Sequence, residues 1–273
     1  LDGIAGDKPT KNGAAIADFV GRLPALAVNG FSRSSEFDLL LDELSRVDWE
    51  LPEGFDELTF YSLGFGGRKW RPKKNNRLAV ISPFIRPKAL EMLAKTSDTP
   101  LALVSRAESL AELGGTKLFR SSYVLHDAAE SEDGEGHAAT GSEIGLHAKV
   151  YIYQVGSRTH IALGSANASD AALIADKNVE ILAELAGPSY KVGSVSKLFD
   201  PDSSEGLGQY LVNWLPEEGY ESDSEALENE RLLEVARDSL LASELTLTCR
   251  QREDTWELEL GATSKVLLRG VTQ

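Results

Sequence analysis

The stretch from Gly145 to Asn167, "GLHAKVYIYQVGSRTHIALGSAN", decides how the whole chain is interpreted. It contains two apolar runs, residues 146–153 and 159–165, separated by a short segment with a Gly-Ser pair. Apolar runs of this length, bounded by turn residues, are typical of strands in a buried sheet. The stretch therefore predicts two neighbouring strands.

Four polar residues lie within or directly after these two runs. Side chains alternate between the two faces of a strand, so His147 and Lys149 share one face. The same rule places Ser165 and Asn167 on one face if the extended geometry continues that far. Gly164 removes a side chain just where a ligand or another backbone could approach closely. The pattern predicts that an imidazole, an ammonium, a hydroxyl and a carboxamide lie together.

Strand-like and helix-like runs alternate on both sides of this stretch. Further strands are predicted over residues 57–65, 78–82, 101–105, 118–125 and 179–185, and helices over residues 87–95, 107–113 and 169–175. This alternation indicates an α/β fold with a mixed β-sheet flanked by helices. Ligands of such folds usually bind beyond the carboxyl ends of the strands, which here continue as "SPFIR" and "SRAE".

The two ends of the chain differ from this middle part. Amphipathic helices are predicted before it, over residues 13–27 and 32–47. After it we predict a helix near residues 225–242 and strand-like runs at 244–251, 255–260 and 265–270. The predicted organisation is a helical connection (1–50), an α/β domain (51–190), and an extension with an acidic linker, a helix and a small β element (191–273).

The composition excludes several classes of protein. A formal net charge of −15 over 273 residues argues against a general polyanion-binding surface. The single cysteine, Cys249, rules out internal disulfides and a multi-cysteine metal site, and it favours a reducing, cytoplasmic environment. No apolar run reaches the roughly 18 residues that a membrane span needs, so we expect no membrane partner.

Charge is unevenly distributed despite the acidic total. Residues 68–77, "RKWRPKKNNR", hold six basic residues and no acid, whereas residues 126–143 and 217–231 are strongly acidic. Such runs most often form solvated loops, which is the simplest interpretation of all three. The basic run could instead contact a nucleic-acid backbone, with Trp70 stacked on a base.

The four polar groups suit a phosphodiester. Lys149 offers a point charge to a nonbridging phosphate oxygen, and Ser165 and Asn167 can donate hydrogen bonds to the same oxygens. His147 can attack phosphorus or transfer a proton. Glu180 lies on the next strand-like run, where its carboxylate could accept the second ring N–H of the histidine and fix its tautomer.

Each of these residues also has a plain structural interpretation. A lone histidine in a strand is more often a satisfied core residue, and the pattern HxK alone is weak. Serine and asparagine after a glycine often form a turn or cap a helix, and a helix is predicted directly after Asn167. Their order on adjacent strands favours the phosphate site.

The motifs "HAK", "GSAN" and "NVE", in this order, resemble the signature of the phospholipase D superfamily, which is HxK, then GSxN, then a downstream Glu. The segments "PEGFDEL", "SPF" and "SR" make residues 45–190 similar to the second half of its two-motif, nuclease-like members. Gln154 stands where the family often carries Asp. The resemblance implies a phospholipase D-like half and a phosphodiesterase, favouring a nuclease on DNA or RNA, without metal or other cofactor.

The resemblance also implies a two-step displacement through a phosphohistidine. One half's histidine attacks phosphorus and the other half's histidine protonates the leaving oxygen, after which water cleaves the intermediate with the roles reversed. HxK occurs once in this sequence, at His147, so the chain is expected to supply half of an active centre. The other half would come from an identical chain or from a segment upstream of Leu1. We expect the upstream segment because Met92 is the only methionine.

The substrate and its other contacts stay open at this level. Arg86 and Arg106 follow predicted strand ends and are candidates for phosphate binding, as are Lys69, Trp70 and Arg71 of the basic run. The predicted partners are nucleic acid and a second phospholipase D-like half. One alternative is a phospholipid phosphodiesterase or transferase, and another is a non-catalytic nucleic-acid-binding or scaffolding module of a larger assembly.

Overall fold

The computed structural model describes residues 1–27, 30–67, 69–114, 117–126, 146–203, 206–216, 245–252 and 255–262, together with residues 232, 236, 239 and 240. The chain divides into two compact units, Leu1–Glu218 and Gly219–Gln273. The elements of the first unit are, in chain order, β1 (Gly3–Ala5), α1 (Lys11–Arg22), α2 (Ser35–Ser45), β2 (Val47–Trp49), β3 (Glu57–Leu63), β4 (Arg77–Ile81), α3 (Pro87–Ala94), β5 (Pro100–Val104), α4 (Ala107–Glu112), β6 (Ser121–Leu125), β7 (Val150–Val155), β8 (Arg158–Gly164), α5 (Asp170–Leu173), β9 (Glu180–Pro188), α6 (Ser189–Val192), α7 (Val195–Leu198) and β10 (Leu211–Asn213).

A mixed sheet is the centre of the first unit. Among the described residues it has eight strands in the order β10-β6-β5-β4-β7-β8-β9-β3. The neighbouring pairs β4–β5 and β5–β6 are parallel, and all other neighbours are antiparallel. Helices flank the sheet, and two helices precede it. The structure therefore confirms the predicted class, a mixed α/β fold with N-terminal helices.

The apolar runs form central strands because both faces of the sheet are covered. Leu78, Ala79 and Val80 on β4 are all fully buried, as is expected of strands that carry helices or loops on both faces. Alternate residues enter two separate core clusters: Tyr151 packs on one face of the sheet and Ile152 on the other. This two-sided core fixes which face each side chain of β7 occupies.

The N-terminal part adds a small layer beside β3. Strands β1 and β2 form a separate antiparallel pair, and α1 packs against α2 and β3. Each helix begins with a side-chain cap: Thr10 accepts from the Gly13 N–H at 2.9 Å, and Ser34 accepts from the Phe37 N–H at 3.3 Å. These hydroxyls satisfy amide groups that the first helical turn leaves unpaired.

Two details differ from the sequence pattern. The strand predicted over residues 146–153 begins only at Val150, because β4 beside it ends at Ile81, which lies opposite Val150. The sheet also gains β10, which pairs with β6. A three-residue strand is too short to show a periodic pattern, so it could not be predicted from hydrophobicity.

The second unit contains an antiparallel hairpin of β11 (Leu245–Arg252) and β12 (Thr255–Ala262). It confirms the predicted small β element. The predicted helix near residues 225–242 lies largely outside the described residues, and the run at 265–270 and both acidic stretches lie outside them almost entirely. Within the described ranges, no helix has the length and apolar character that crossing a bilayer requires.

Candidate active site

The motif residues collect at one edge of the central sheet. Strands β7 and β4 are antiparallel, so the beginning of β7 lies beside the end of β4. The end of β8 meets the same point, where the Gly164 N–H donates to the carbonyl oxygen of Lys149 at 3.2 Å. β9 begins there too, at Glu180. Antiparallel order thus gathers two strand starts and two strand ends at a single edge.

His147 and Lys149 lie immediately before β7 and not within it. The His147 side chain is exposed and Lys149 is half-buried. The Lys149 ammonium donates to the backbone oxygen of His147 at 2.8 Å, which holds the two residues of the HxK pattern together. The pair is therefore presented to solvent at the sheet edge, on a segment that no β4 residue pairs with.

Ser165 is held by the backbone of β9. Its N–H donates to the Ile181 carbonyl at 3.0 Å, and its hydroxyl oxygen accepts the Ile181 N–H at 3.0 Å. The hydroxyl hydrogen stays available to a ligand, because a serine hydroxyl can accept and donate at once. Gly164 is required beside it, since a Cβ there would collide with the Ile181 carbonyl oxygen. The close approach predicted at this glycine is to a neighbouring backbone.

Asn167 is anchored through Ser82, a residue that the sequence pattern did not single out. Ser82 is fully buried; its hydroxyl accepts the Ala168 N–H at 3.0 Å and donates to the Phe84 carbonyl at 2.7 Å. The Asn167 Oδ1 lies 3.5 Å from the same hydroxyl. The sequence feature that could have indicated this residue is a serine directly after a buried apolar strand. Ser82 anchors the GSAN segment to the end of β4.

Glu180 reaches the predicted edge but has a different partner there. Its carboxylate is buried and accepts from the Asn178 side-chain amide at 3.2 Å. Burial, and then the charge of Glu180, raise the pKa of the neighbouring Tyr151, whose hydroxyl donates to the Ala166 carbonyl at 2.9 Å. Within the described part of the chain, no hydrogen bond joins Glu180 to the His147 ring. The orienting role of Glu180 stays a prediction.

Arg86 and Arg106 contact the same edge from the ends of β4 and β5. Arg86 pairs with Glu112 at 3.1 Å, and its backbone N–H donates to the Ala168 carbonyl at 3.0 Å. The Arg106 Nε donates to the carbonyl of Leu146 at 3.2 Å, and its guanidinium lies 5.1 Å from the centroid of the Phe84 ring. Both arginines are therefore tied to the segments that carry the motifs.

Lys69, Trp70 and Arg71 lie elsewhere, on the loop between β3 and β4. Trp70 is only 3% exposed and packs against Tyr151, so its ring is a core group and offers no face to a base. This corrects the stacking role considered for it. The Lys69 ammonium donates to the Ile174 carbonyl, and Arg71 is exposed.

A buried polar network lies behind this loop and was missed by the sequence analysis. Glu184 accepts from the Trp70 indole at 3.0 Å, and its other oxygen lies 3.3 Å from the His160 Nδ1. The His160 ring stacks on Tyr153, with 4.7 Å between centroids. The sequence could have indicated this network, because Glu180 and Glu184 are four residues apart, which puts two carboxylates on one face of the same strand.

Burial alone would raise the pKa of Glu184. Hydrogen bonds from His160, Trp70 and Tyr153 outweigh that effect and leave its pKa below the usual value, so the carboxylate is ionised at neutral pH. In the described residues, no group of three or more His, Cys, Asp or Glu side chains is placed to hold a metal ion.

The fold and its polar edge together define a mixed α/β protein with a candidate anion site beyond one edge of its sheet. The sequence matches no protein-family model and no curated protein. Among solved structures, NucT from Helicobacter pylori is similar at a TM-score of 0.30 and 14% identity, over 47% of this chain and 84% of that one. A likeness at this level defines neither a family nor an activity.

Proposed function

We propose that this chain supplies one half-site of a phosphodiesterase that cleaves nucleic acid through a phosphohistidine intermediate. The observation that carries the proposal is the common location of the motif residues. His147, Lys149, Ser165 and Asn167, which are separated by up to 20 positions in the sequence, meet at one sheet edge with Arg86 and Arg106. A negatively charged ligand fits this collection of cations and hydrogen-bond donors.

Each residue has a defined task in the proposed reaction. Lys149 and the two hydrogen-bonding side chains, Ser165 and Asn167, bind the nonbridging oxygens and stabilise the charge that builds on them. The exposed His147 attacks phosphorus, and its bond to phosphorus replaces the bond to the leaving oxygen. A second histidine protonates that oxygen, and water then displaces His147 to release the phosphate end.

The second histidine belongs to another half-site. His126, His137 and His160 are not followed two residues later by lysine, so this sequence carries the motif once. We propose that the partner half is either an identical chain or another segment of the full-length protein. Nucleic acid is preferred over phospholipid as the substrate because Arg106, which forms no ion pair among the described residues, borders the site and can neutralise a neighbouring phosphate.

Trapping the covalent intermediate tests this function directly. The full-length protein is mixed with end-labelled single- and double-stranded DNA and RNA in the presence of EDTA, then denatured with sodium dodecyl sulfate at neutral pH, which preserves both phosphohistidine and RNA. We expect cleavage, with the label attached to protein through an acid-labile bond. His147→Ala and Lys149→Met should abolish both signals, whereas Lys95→Met, which removes an exposed lysine from the surface of the first unit, should abolish neither.

The outcomes separate the alternatives. Cleavage that survives His147→Ala contradicts the assigned mechanism. Hydrolysis of phosphatidylcholine micelles without cleavage of nucleic acid assigns the site to phospholipids. Tight binding of nucleic acid with neither cleavage nor labelling identifies a non-catalytic module. Sedimentation of the chain alone then distinguishes the two sources of the partner half, because only an active dimer supports a symmetric centre.

A further inference from the structure

A cavity lies away from the motif edge, under the basic loop between β3 and β4. Its volume is about 300 Å³. It is lined by Tyr61, Lys69, Trp70, Arg71, Lys73, Tyr153 and Glu184. Three of these side chains are cationic and one is a carboxylate, so the cavity carries charges of both signs between aromatic rings. The volume is at the lower end of those that hold small ligands.

Exposed cationic residues alternate with buried residues along this loop. Trp70 and Pro72 are buried, whereas Lys69, Arg71 and Lys73 are exposed. The buried positions are fixed, since the Trp70 indole donates to the Glu184 carboxylate at 3.0 Å. The buried residues face the sheet, and all three cationic side chains line the cavity.

The floor of the cavity is a hydrogen-bonded group of side chains that holds the loop from below. Tyr153 lines the cavity beside Glu184, and its hydrogen bond to that carboxylate helps to lower the pKa of Glu184. His160 pairs with the other side of the Glu184 carboxylate, at 3.3 Å. A carboxylate has about four acceptor positions, and these three donors use three of them. One acceptor position of Glu184 is left for a ligand.

Two of the cations are also left for a ligand. The Lys69 ammonium donates to the Ile174 carbonyl, but within the described residues neither Arg71 nor Lys73 forms an ion pair through its side chain. Three positive charges around one buried acceptor match a molecule with an anionic end and an N–H-donating end. A nucleotide has this combination, because its phosphate is anionic and each base donates at least one N–H from its pairing edge.

We propose that this cavity binds a single nucleotide, with its phosphate on Arg71 and Lys73 and its base edge on Glu184. The site would be tolerant of base identity, because a single free acceptor position can take one N–H from any of the bases.

The cavity lies on the sheet face to which Glu180 also belongs, because Glu180 and Glu184 are an even number of residues apart on β9. Glu184 is four residues along β9 from Glu180, which places the two carboxylates about 13 Å apart at the rise of an extended strand. A nucleic-acid strand cleaved at His147 could therefore continue into the cavity. Binding of a nucleic-acid strand in the cavity rests on the proposed nuclease function, whereas binding of a free nucleotide there does not.

Titration calorimetry on the full chain tests the proposal, with a 5′-mononucleotide as the probe. Inorganic phosphate and ribose 5-phosphate serve as probes that lack the base. We expect saturable binding of the nucleotide and weaker binding of both controls. The double variant Arg71→Ser/Lys73→Ser should weaken nucleotide binding by about tenfold or more for each charge-assisted hydrogen bond lost. Both residues are exposed, so this variant keeps the fold.

Lys8→Ser/Lys95→Ser is the matched control, since it removes two exposed lysines elsewhere in the first unit. It should bind the nucleotide as the unmodified chain does. Absence of saturable binding, or equal weakening in the two double variants, overturns the proposal. Equal binding of the nucleotide and ribose 5-phosphate overturns the role of Glu184.

A labelled single-stranded oligonucleotide, tested with His147→Ala to prevent cleavage, distinguishes the two sources of the nucleotide. If a strand occupies the cavity, the Arg71/Lys73 double substitution reduces the slope of log affinity against log salt by about 0.7 per lost phosphate contact. If only free nucleotides bind, the slope is unchanged. If the protein binds nucleotides but has no nuclease activity, the nucleotide site stands and the proposed function fails. If it cleaves nucleic acid but binds no nucleotide, the proposed function stands and the nucleotide site fails.

Discussion

The Trp70 indole donates a 3.0 Å hydrogen bond to the Glu184 carboxylate, and both side chains are buried. The bond joins the loop between β3 and β4 to β9, which are separated by more than one hundred positions in the sequence. This bond holds the basic loop between β3 and β4 in a fixed position against β9.

Glu184→Gln should destabilise the protein in a pH-dependent way. The folded state lowers the pKa of Glu184 below its usual value of 4.5. The ionised form therefore contributes stability that is present above that value and is lost as the pH falls through the lower, folded-state pKa. We expect a loss of about 2 kcal/mol at pH 7, because an amide replaces a charged acceptor. Urea unfolding at several pH values measures it.

The difference between the two proteins should shrink below pH 4.5 as the wild-type carboxylate takes up its proton. Glu91→Gln provides the control, since Glu91 is exposed and its one ion pair among the described residues is with Lys95, at 3.7 Å. Its effect should stay within about 0.5 kcal/mol at every pH. A loss at position 184 that is the same at pH 7 and pH 4 would contradict an ionised, hydrogen-bonded carboxylate.

Gly164→Ala should lower stability and disturb the GSAN segment. The added methyl group would collide with the Ile181 carbonyl oxygen, which accepts the Ser165 N–H one residue further on. Moving either backbone costs about 1–3 kcal/mol, as overpacking usually does. Thermal unfolding measures the loss, and phosphate binding should weaken with it.

Gly67→Ala is the comparison for this change, because nothing lies within 4 Å of a Cβ added there. That variant should unfold within about 0.5 kcal/mol of the unmodified chain. Equal stability of the two alanine variants would show that β9 can move away from position 164 at no cost.

Tyr151→Phe isolates one hydrogen bond beneath the site. The hydroxyl donates to the Ala166 carbonyl at 2.9 Å, and both residues are fully buried. Its removal leaves that carbonyl unpaired, at a cost of about 1–2 kcal/mol. Hydrogen exchange should accelerate at Ala168 and its neighbours as the segment loosens. Tyr190→Phe, on a tyrosine that is 84% exposed, should change neither quantity.

Much of this fold could be predicted because its strands are continuous apolar runs. Residues 78–82 and 101–105 were predicted as strands, and β4 and β5 differ from those bounds by one residue. Both faces of these strands are covered, so hydrophobicity alone marks them. Edge elements were harder: β10 has three residues, and it is a strand only because β6 pairs with it.

In the site too, the sequence predicted contacts between residues that are close in the chain and missed those between distant residues. The order of the motifs predicted that Lys149 and Ser165 would meet, since Lys149 directly precedes β7 and Ser165 directly follows β8, which pairs with it. The partners that hold the GSAN segment are Ser82, which directly follows β4, and Ile181 on β9, and the topology decides which strands lie beside each other. No periodicity in the sequence indicates that topology. The role of Trp70 was misjudged for this reason, because its ring packs against the distant Tyr151 and its indole N–H donates to the distant Glu184.

Ser82→Ala should reduce activity out of proportion to its effect on stability. The change leaves the Ala168 N–H and the Phe84 carbonyl without their partner, which costs about 1–3 kcal/mol in a fully buried position. Because Asn167 directly precedes the freed amide, its side chain loses its fixed position. We expect the kcat of nucleic-acid cleavage to fall about tenfold or more, while urea unfolding shows a moderate loss.

Ser109→Ala separates positioning from stability. The Ser109 hydroxyl is also buried and donates to the Pro83 carbonyl at 2.9 Å, but it touches no residue of the GSAN segment. Its removal should lower the unfolding free energy by about 1 kcal/mol and leave kcat unchanged. If the two serine variants lost kcat equally, the hydroxyl of Ser82 would be a support of the fold alone, and the anchoring of Asn167 through it would be wrong.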